Sequence, residues 1–200
     1  GPFISLAQGI LAGWVFTKSK QRGLNELFVF WFSILGLNNF LGYVLTGPIF
    51  KKGDIGKVYD LLDVSQTLQI LLSIIAAILL LLIAHRMTKA TLSFSPNANF
   101  VSSKQGRKGF SFHVLIIPWA LGSLIISLLY LPVVALISII YPVMSGFVFI
   151  YPWQNAESVS KVKSLGKDNL LHYPSYASIV LLIVMLFFKF ALGRGIPFSA

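Results

Sequence analysis

The 200 residues are 56% hydrophobic and only 11% charged, with a mean hydropathy of +0.81, where an ordinary soluble domain carries about 25% charge. That balance excludes a soluble globular protein. Sixteen Lys and Arg face six Asp and Glu, a formal charge of +10, but the basic residues sit between apolar runs. They therefore read as a topology signal and as contacts to anionic lipid headgroups, with no nucleic-acid partner. The absence of cysteine excludes disulfides, a thiolate nucleophile, Cys-ligated metals and S-palmitoylation.

Gly1-Pro2 leads straight into an apolar run at residues 3–16, with neither a Met nor a basic n-region. This is the start of neither a signal peptide nor a natural open reading frame. It is expected to be a protease scar or, more in keeping with so short an apolar run, a cut from a longer chain.

Apolar stretches of about 18 to 25 residues are what a helix needs to cross a hydrocarbon core of ~30 Å. On that basis the chain predicts an all-α, polytopic integral membrane helical bundle of about six transmembrane helices, multi-pass in the bilayer. It forms one unit over residues 1–200, without an independent soluble domain. The expected spans are 2–16; 27–49, broken by Asn38, Asn39 and three glycines; 68–84, the most uniformly apolar; two within 112–153, turning near Pro132; and 174–192. Pro118 and Pro142 are expected to kink the fourth and fifth. A polar loop at about 85–111 separates spans three and four, and short alternation at Thr91 to Phe94 and Gly109 to Phe112 predicts a small interfacial hairpin.

With six spans, the loops after the first, third and fifth carry eleven of the sixteen basic residues: Lys18, Lys20, Arg22; Arg86, Lys89, Lys104, Arg107, Lys108; and Lys161, Lys163, Lys167. The positive-inside rule assigns this face to the cytoplasm and the loop with Lys51, Lys52 and Lys57 to the other side.

Candidate chemistry is sparse. Four of the six carboxylates, Glu26, Asp54, Asp60 and Asp63, flank the second span. Asp54, in Gly53-Asp54-Ile55-Gly56 and six residues after Pro48, is the most motif-like: a carboxylate oxygen suits zinc as a third ligand, and a Gly-Asp turn beside lysines is ordinary loop chemistry. His85, His113 and His172 fall on one face of the six-span topology, but their spacing matches no ligand motif. Ser145, beside Gly146 in an apolar run, has no histidine at a helical offset, and no glycine-rich loop has the strand and helix context needed to hold phosphate. A coupled transporter would be expected to keep a carboxylate at mid-membrane, and none is present.

The order Gly1-Pro2 at the head of a span, Asn38-Asn39 inside the next, then Pro48 and Asp54-Ile55-Gly56 resembles the downstream part of the site-2-protease-like membrane metallopeptidases. The resemblance covers residues 1 to 60. It implies that Asp54 is the third zinc ligand and that Asn38 or Asn39 handles the substrate backbone. The substrate would then be a membrane protein or peptide. The family's His-Glu-x-x-His helix is absent from this sequence, so the chain is catalytically incomplete as given. Zinc is implied only for a longer chain and none is expected for this one alone. The Asn-to-Pro and Pro-to-Asp spacings exceed the family's, and the charge tally sets Asp54 on the face opposite to the family's zinc site. The competing expectation is a transporter-like or scaffolding membrane subunit without catalytic activity.

Overall fold

In hydrocarbon a backbone N–H or carbonyl finds no water, so apolar stretches satisfy their own backbone by coiling into helices. The computed structural model describes residues 1–51, 53–130, 136–160, 162–167, 175–187 and 190, and among these residues every regular element is helical. In chain order they are α1 (Pro2–Lys18), α2 (Leu24–Thr46), α3 (Asp54–Leu61), α4 (Gln66–Leu92), α5 (Ala98–Ser102), α6 (Lys104–Ser111), a π-helical turn (Phe112–Ile116), α7 (Ile117–Tyr130), α8 (Leu136–Asn155), a 3-10 turn (Ala156–Ser158) and α9 (Ser175–Phe187).

Local chemistry sets the boundaries. Pro2 opens α1, where its missing N–H would be unpaired in any helix. The Glu26 carboxylate accepts the Gly23 N–H at 2.8 Å, half of a capping box, and fixes the start of α2. Ser65 caps α4, and Ser103 caps α6 by accepting the Gly106 N–H at 2.9 Å. Asp63, at φ 47°, makes the turn between α3 and α4 in the left-handed region that Asp tolerates.

Three stretches among the described residues are long and apolar enough to cross a membrane: Leu24–Thr46, Gln66–Leu92 and the continuous run Lys104–Leu129. The outer face of α4 fits a lipid surround, since Ile74 and Ile78 are each 52% exposed. A contiguous apolar face of this kind has no place against water.

The stretch expected as a loop with a hairpin at 85–111 is mostly helical instead, with turns at 93–97 and Ser103 between its helices. α4 continues to Leu92, and Gly109 to Ser111 belong to α6. Alternation over only four residues does not separate strand from helix when both apolar positions are buried from different directions. Here Leu92 packs against Val101 and Ala156, whereas Phe94 joins the main core with Phe30, Leu115 and Phe149. Pro118 lies just after the π-helical turn, where the hydrogen-bond ladder is already widened, so its missing N–H falls at an existing irregularity. Pro142 lies inside α8.

α1 and α2 form an antiparallel hairpin, α4 packs on α2 and α8 on α4. The α1 and α2 backbones approach until almost nothing fits between them. A Cβ on Gly36 would lie 2.7 Å from the Ser5 carbonyl oxygen and 2.9 Å from the Gly9 nitrogen. Small residues at such a crossing let helices associate where lipid removes the hydrophobic drive.

The alternating helices sort the polar segments between two ends. At one end the segment 162–167 runs as a strap across two others: Arg22 N–H donates to Leu165 O (3.0 Å), Lys167 N–H to Arg22 O (2.8 Å), Leu165 N–H to Ser93 O (3.0 Å) and Gly166 N–H to Ser95 O (3.1 Å). The basic segments after α1, after α4 and after α8 are thus joined directly. Gly1, Asp54 and the α3 turn occupy the other end, since α1 and α2 each run the length of the bundle.

Because the chain has no cysteine, single exposed positions report this arrangement in membrane vesicles. Lys163→Cys and Lys57→Cys are expected to react with an impermeant thiol reagent from opposite sides; labelling of both from one side would refute it. In detergent, Gly36→Ala is expected to lower the unfolding free energy by about 1–3 kcal/mol, because the backbones must part. Gly42→Ala, with nothing within 4 Å of the new methyl, should instead stabilise by about 0.4–1 kcal/mol.

Candidate functional site

Asp54 is the first residue of α3, exposed, with Gly53 as its N-cap. A carboxylate in the first turn is favoured there by the unpaired amides and the helix dipole. Tight packing explains the position of α3: Ile55, Gly56 and Tyr59 are buried against the end of α2, and a Cβ on Gly47 would lie 2.7 Å from the Tyr59 ring. That docking brings Asp54 to the head of α1, where a Cβ on Gly1 would lie 3.4 Å from Asp54 Oδ2. Two sequence elements more than fifty positions apart are therefore neighbours.

Asn39 lies on the same hairpin, further inside. Its side-chain amide donates to Ser5 Oγ at 2.7 Å, and Ser5 follows Gly1 by one helical turn, about 6 Å along the axis. Along the same seam Ser33 Oγ donates to Gly9 O at 2.7 Å and Gln8 Nε2 to Phe32 O at 3.3 Å. Ser5, Gln8, Ser33 and Asn39 are thus occupied in holding α1 to α2.

Asn38 is on a different face. It is 8% exposed and belongs to the buried stripe of Phe30, Ile34 and Leu41, a direction set by the 100° step between adjacent helical residues. It makes no side-chain hydrogen bond among the described residues. The structure therefore brings Gly1, Asp54 and the Asn39–Ser5 pair to one side of the hairpin and turns Asn38 away.

Among the described residues no complete zinc donor set is assembled. Zinc takes three protein ligands or more, and no group of three His, Cys, Asp or Glu comes together among the described residues. His85 is exposed on α4. His113 is exposed and its Nδ1 lies 2.8 Å from the Gly109 carbonyl, a contact within its own helical run. His172 lies outside the described residues. Asp54 supplies one carboxylate, and no two further metal-ligating side chains join it among the described residues to complete a site.

Two residues gain importance only in three dimensions. Arg107, one of five basic residues in the expected loop, is 8% exposed and donates to the carbonyls of Val101 (3.1 Å), Ser102 (3.0 Å), Ala156 (3.2 Å) and Glu157 (3.0 Å). No short-range pattern signals those partners, two of which lie some fifty positions away. Tyr59 is buried with its hydroxyl unpaired, and burial pushes the phenol above its ordinary value.

Tyr59→Phe removes a buried hydroxyl without a partner, so it is expected to stabilise the protein by about 1 kcal/mol in denaturant titration. A raised phenol pKa favours the neutral ring in the folded state. Its contribution is complete below the unfolded value of about 10 and is lost as pH rises through the folded value. The variant should therefore lose less stability than the parent above that pH; equal loss would show that Tyr59 ionises freely.

Comparison with protein-family models, curated proteins and solved structures gave no match to this chain.

Proposed function

We propose that the chain is a six-span, multi-pass membrane unit corresponding to the downstream part of an intramembrane zinc metallopeptidase. In this reading Asp54 is one metal ligand of a site completed by residues outside this sequence, and Asn39 is the polar group on the substrate side. The observation that carries it is the meeting of Gly1 with the Asp54 carboxylate, since it assembles the two motif elements on which the resemblance rests. The Asn39–Ser5 pair on the same seam supports it. Asn38, turned to the core, has no part in it. Zinc enters only with further ligands, and no reaction step is assigned to the residues present.

In support of the six spans, each apolar stretch predicted to cross contains a helix among the described residues, although α1 has 17 residues and α9 has 13. At 1.5 Å per residue α1 reaches roughly 26 Å, which a slightly thinned bilayer accommodates. The side of the membrane remains a point of disagreement between the charge tally and the resemblance, because Asp54 lies at the end opposite the basic strap.

The alternative is a scaffold or transporter-like subunit. The pairing of Ser5, Gln8, Ser33 and Asn39 with one another and with backbone speaks against a solute path along the α1–α2 seam, so a scaffold is the stronger form of it.

The test is zinc content and substrate cleavage by the natural full-length protein, purified from its membrane. Stoichiometric zinc that falls at least about tenfold in Asp54→Ala, with loss of cleavage, is the expected result, since removing a ligand exceeds the 10- to 100-fold effect of its supporting groups. A protein without zinc, or one whose zinc and activity survive Asp54→Ala, would discard the peptidase reading in favour of the scaffold.

A further inference from the structure

Where α8 ends and α6 begins, Lys104, Arg107, Gln154, Asn155, Glu157 and Ser158 line an open cleft of about 470 Å³. Its charge is unbalanced. The Glu157 carboxylate is taken by Lys108 at 3.1 Å. The buried Arg107 guanidinium is held by carbonyl oxygens alone, which satisfy its hydrogen bonds and leave its positive charge in place. Lys104 and Gln154 are exposed at the rim and have no hydrogen-bond or ion-pair partner among the described residues.

One wall of this polar cleft is continuous with an apolar flank. Phe112, 38% exposed, lies one turn beyond Lys108 and packs on Trp153 at 5.7 Å between ring centroids, while Lys108 Nζ lies 5.6 Å from the Trp153 ring. Further along the same helical run, Leu121, Leu124 and Leu128 are exposed on α7. Cation, amphipathic ring and aliphatic flank follow one another in the order of a phospholipid's phosphate, glycerol and acyl chain.

We infer that this cleft seats the headgroup of an anionic phospholipid whose acyl chains lie along α7. A soluble phosphate would use the cations but not the flank, and a zwitterionic lipid brings its own cation towards Lys104 and Arg107. The inference rests on the membrane-embedded part of the proposed function and is independent of the metallopeptidase part.

The experiment reconstitutes the full chain in nanodiscs of phosphatidylcholine with phosphatidylglycerol and measures, by native mass spectrometry, the lipid retained after transfer to detergent. Phosphatidylglycerol is expected to be retained over phosphatidylcholine. Lys104→Gln should reduce that preference about fivefold, the effect of one basic residue at a membrane surface, and Lys104→Arg should restore it. Lys57→Gln, at the other end of the bundle, should leave it unchanged. An unchanged unfolding temperature for Lys104→Gln, an exposed position, separates lost binding from lost fold, and Lys104→Arg keeps the answer decisive if the Gln variant is unstable. Equal retention of the two lipids, or a preference indifferent to Lys104, overturns the inference. Displacement of the phospholipid by inorganic phosphate would make the cleft a phosphate site and also overturn it. A chain that enters no nanodisc overturns both this inference and the membrane reading, whereas entry without lipid preference overturns this one alone.

Discussion

Between two helices in lipid there is little hydrophobic reward for contact, so association depends on how closely the backbones can approach and on which hydrogen bonds they share. α1 and α2 meet that requirement at Gly9 and Gly36, where backbone lies against backbone, and add the Ser33–Gly9 and Asn39–Ser5 bonds beside the crossing. The rest of the bundle is arranged on this hairpin. α4 packs on the other face of α2 through Ala76, Leu80 and Met87, and Phe149 of α8 stacks on Trp31 with centroids 4.4 Å apart. A side chain at Gly36 would separate the helices and, with them, Gly1 from Asp54.

The two ends of the bundle differ in construction. At the Asp54 end a short helix is docked by Ile55, Gly56 and Tyr59, and its two carboxylates, Asp54 and Asp60, are exposed. At the other end the chain is stitched. Phe16, Phe30 and Phe94 gather in one aromatic cluster, the Arg22 guanidinium lies 4.1 Å from the Phe16 ring, and the strap crosses above them. Burial lowers the pKa of Arg22, partly offset by the nearby Glu26 carboxylate, and a guanidinium, protonated throughout the ordinary pH range, keeps its charge. The cation lies over aromatic faces with its Nη1 donating to the Ser19 and Gln21 carbonyls, while its Nε is buried without a partner among the described residues.

Helix positions were legible in the sequence because hydropathy acts over some twenty residues and the bilayer admits few alternatives. Within the described residues each of the six apolar stretches contains a helix, and three of the resulting runs have the length and apolarity of spans. The polar region before α7 was not legible as helix, because caps such as Ser103 and Asn97 act over three residues and resemble loop composition. The candidate site was legible in part. The Asp54 segment announced itself by its glycines, whereas its approach to Gly1 comes only from the docking of α3 against the end of α2. The different directions of Asn38 and Asn39 follow from helical periodicity once α2 is placed. Arg107 was not legible, because its partners lie on α5 and beyond α8 and only the packed chain brings them to it.

The strap also bears on the order of assembly. Arg22 and Gly166 are bridged across nearly three quarters of the chain, and closing so long a loop must wait until everything between them has been made. The α1–α2 hairpin has every partner it needs from the first quarter of the chain and can form while synthesis continues. The basic end cannot. The bundle is therefore completed from its first hairpin outward, and a chain that stopped short of residue 165 would carry α1 to α8 without the strap that fastens them.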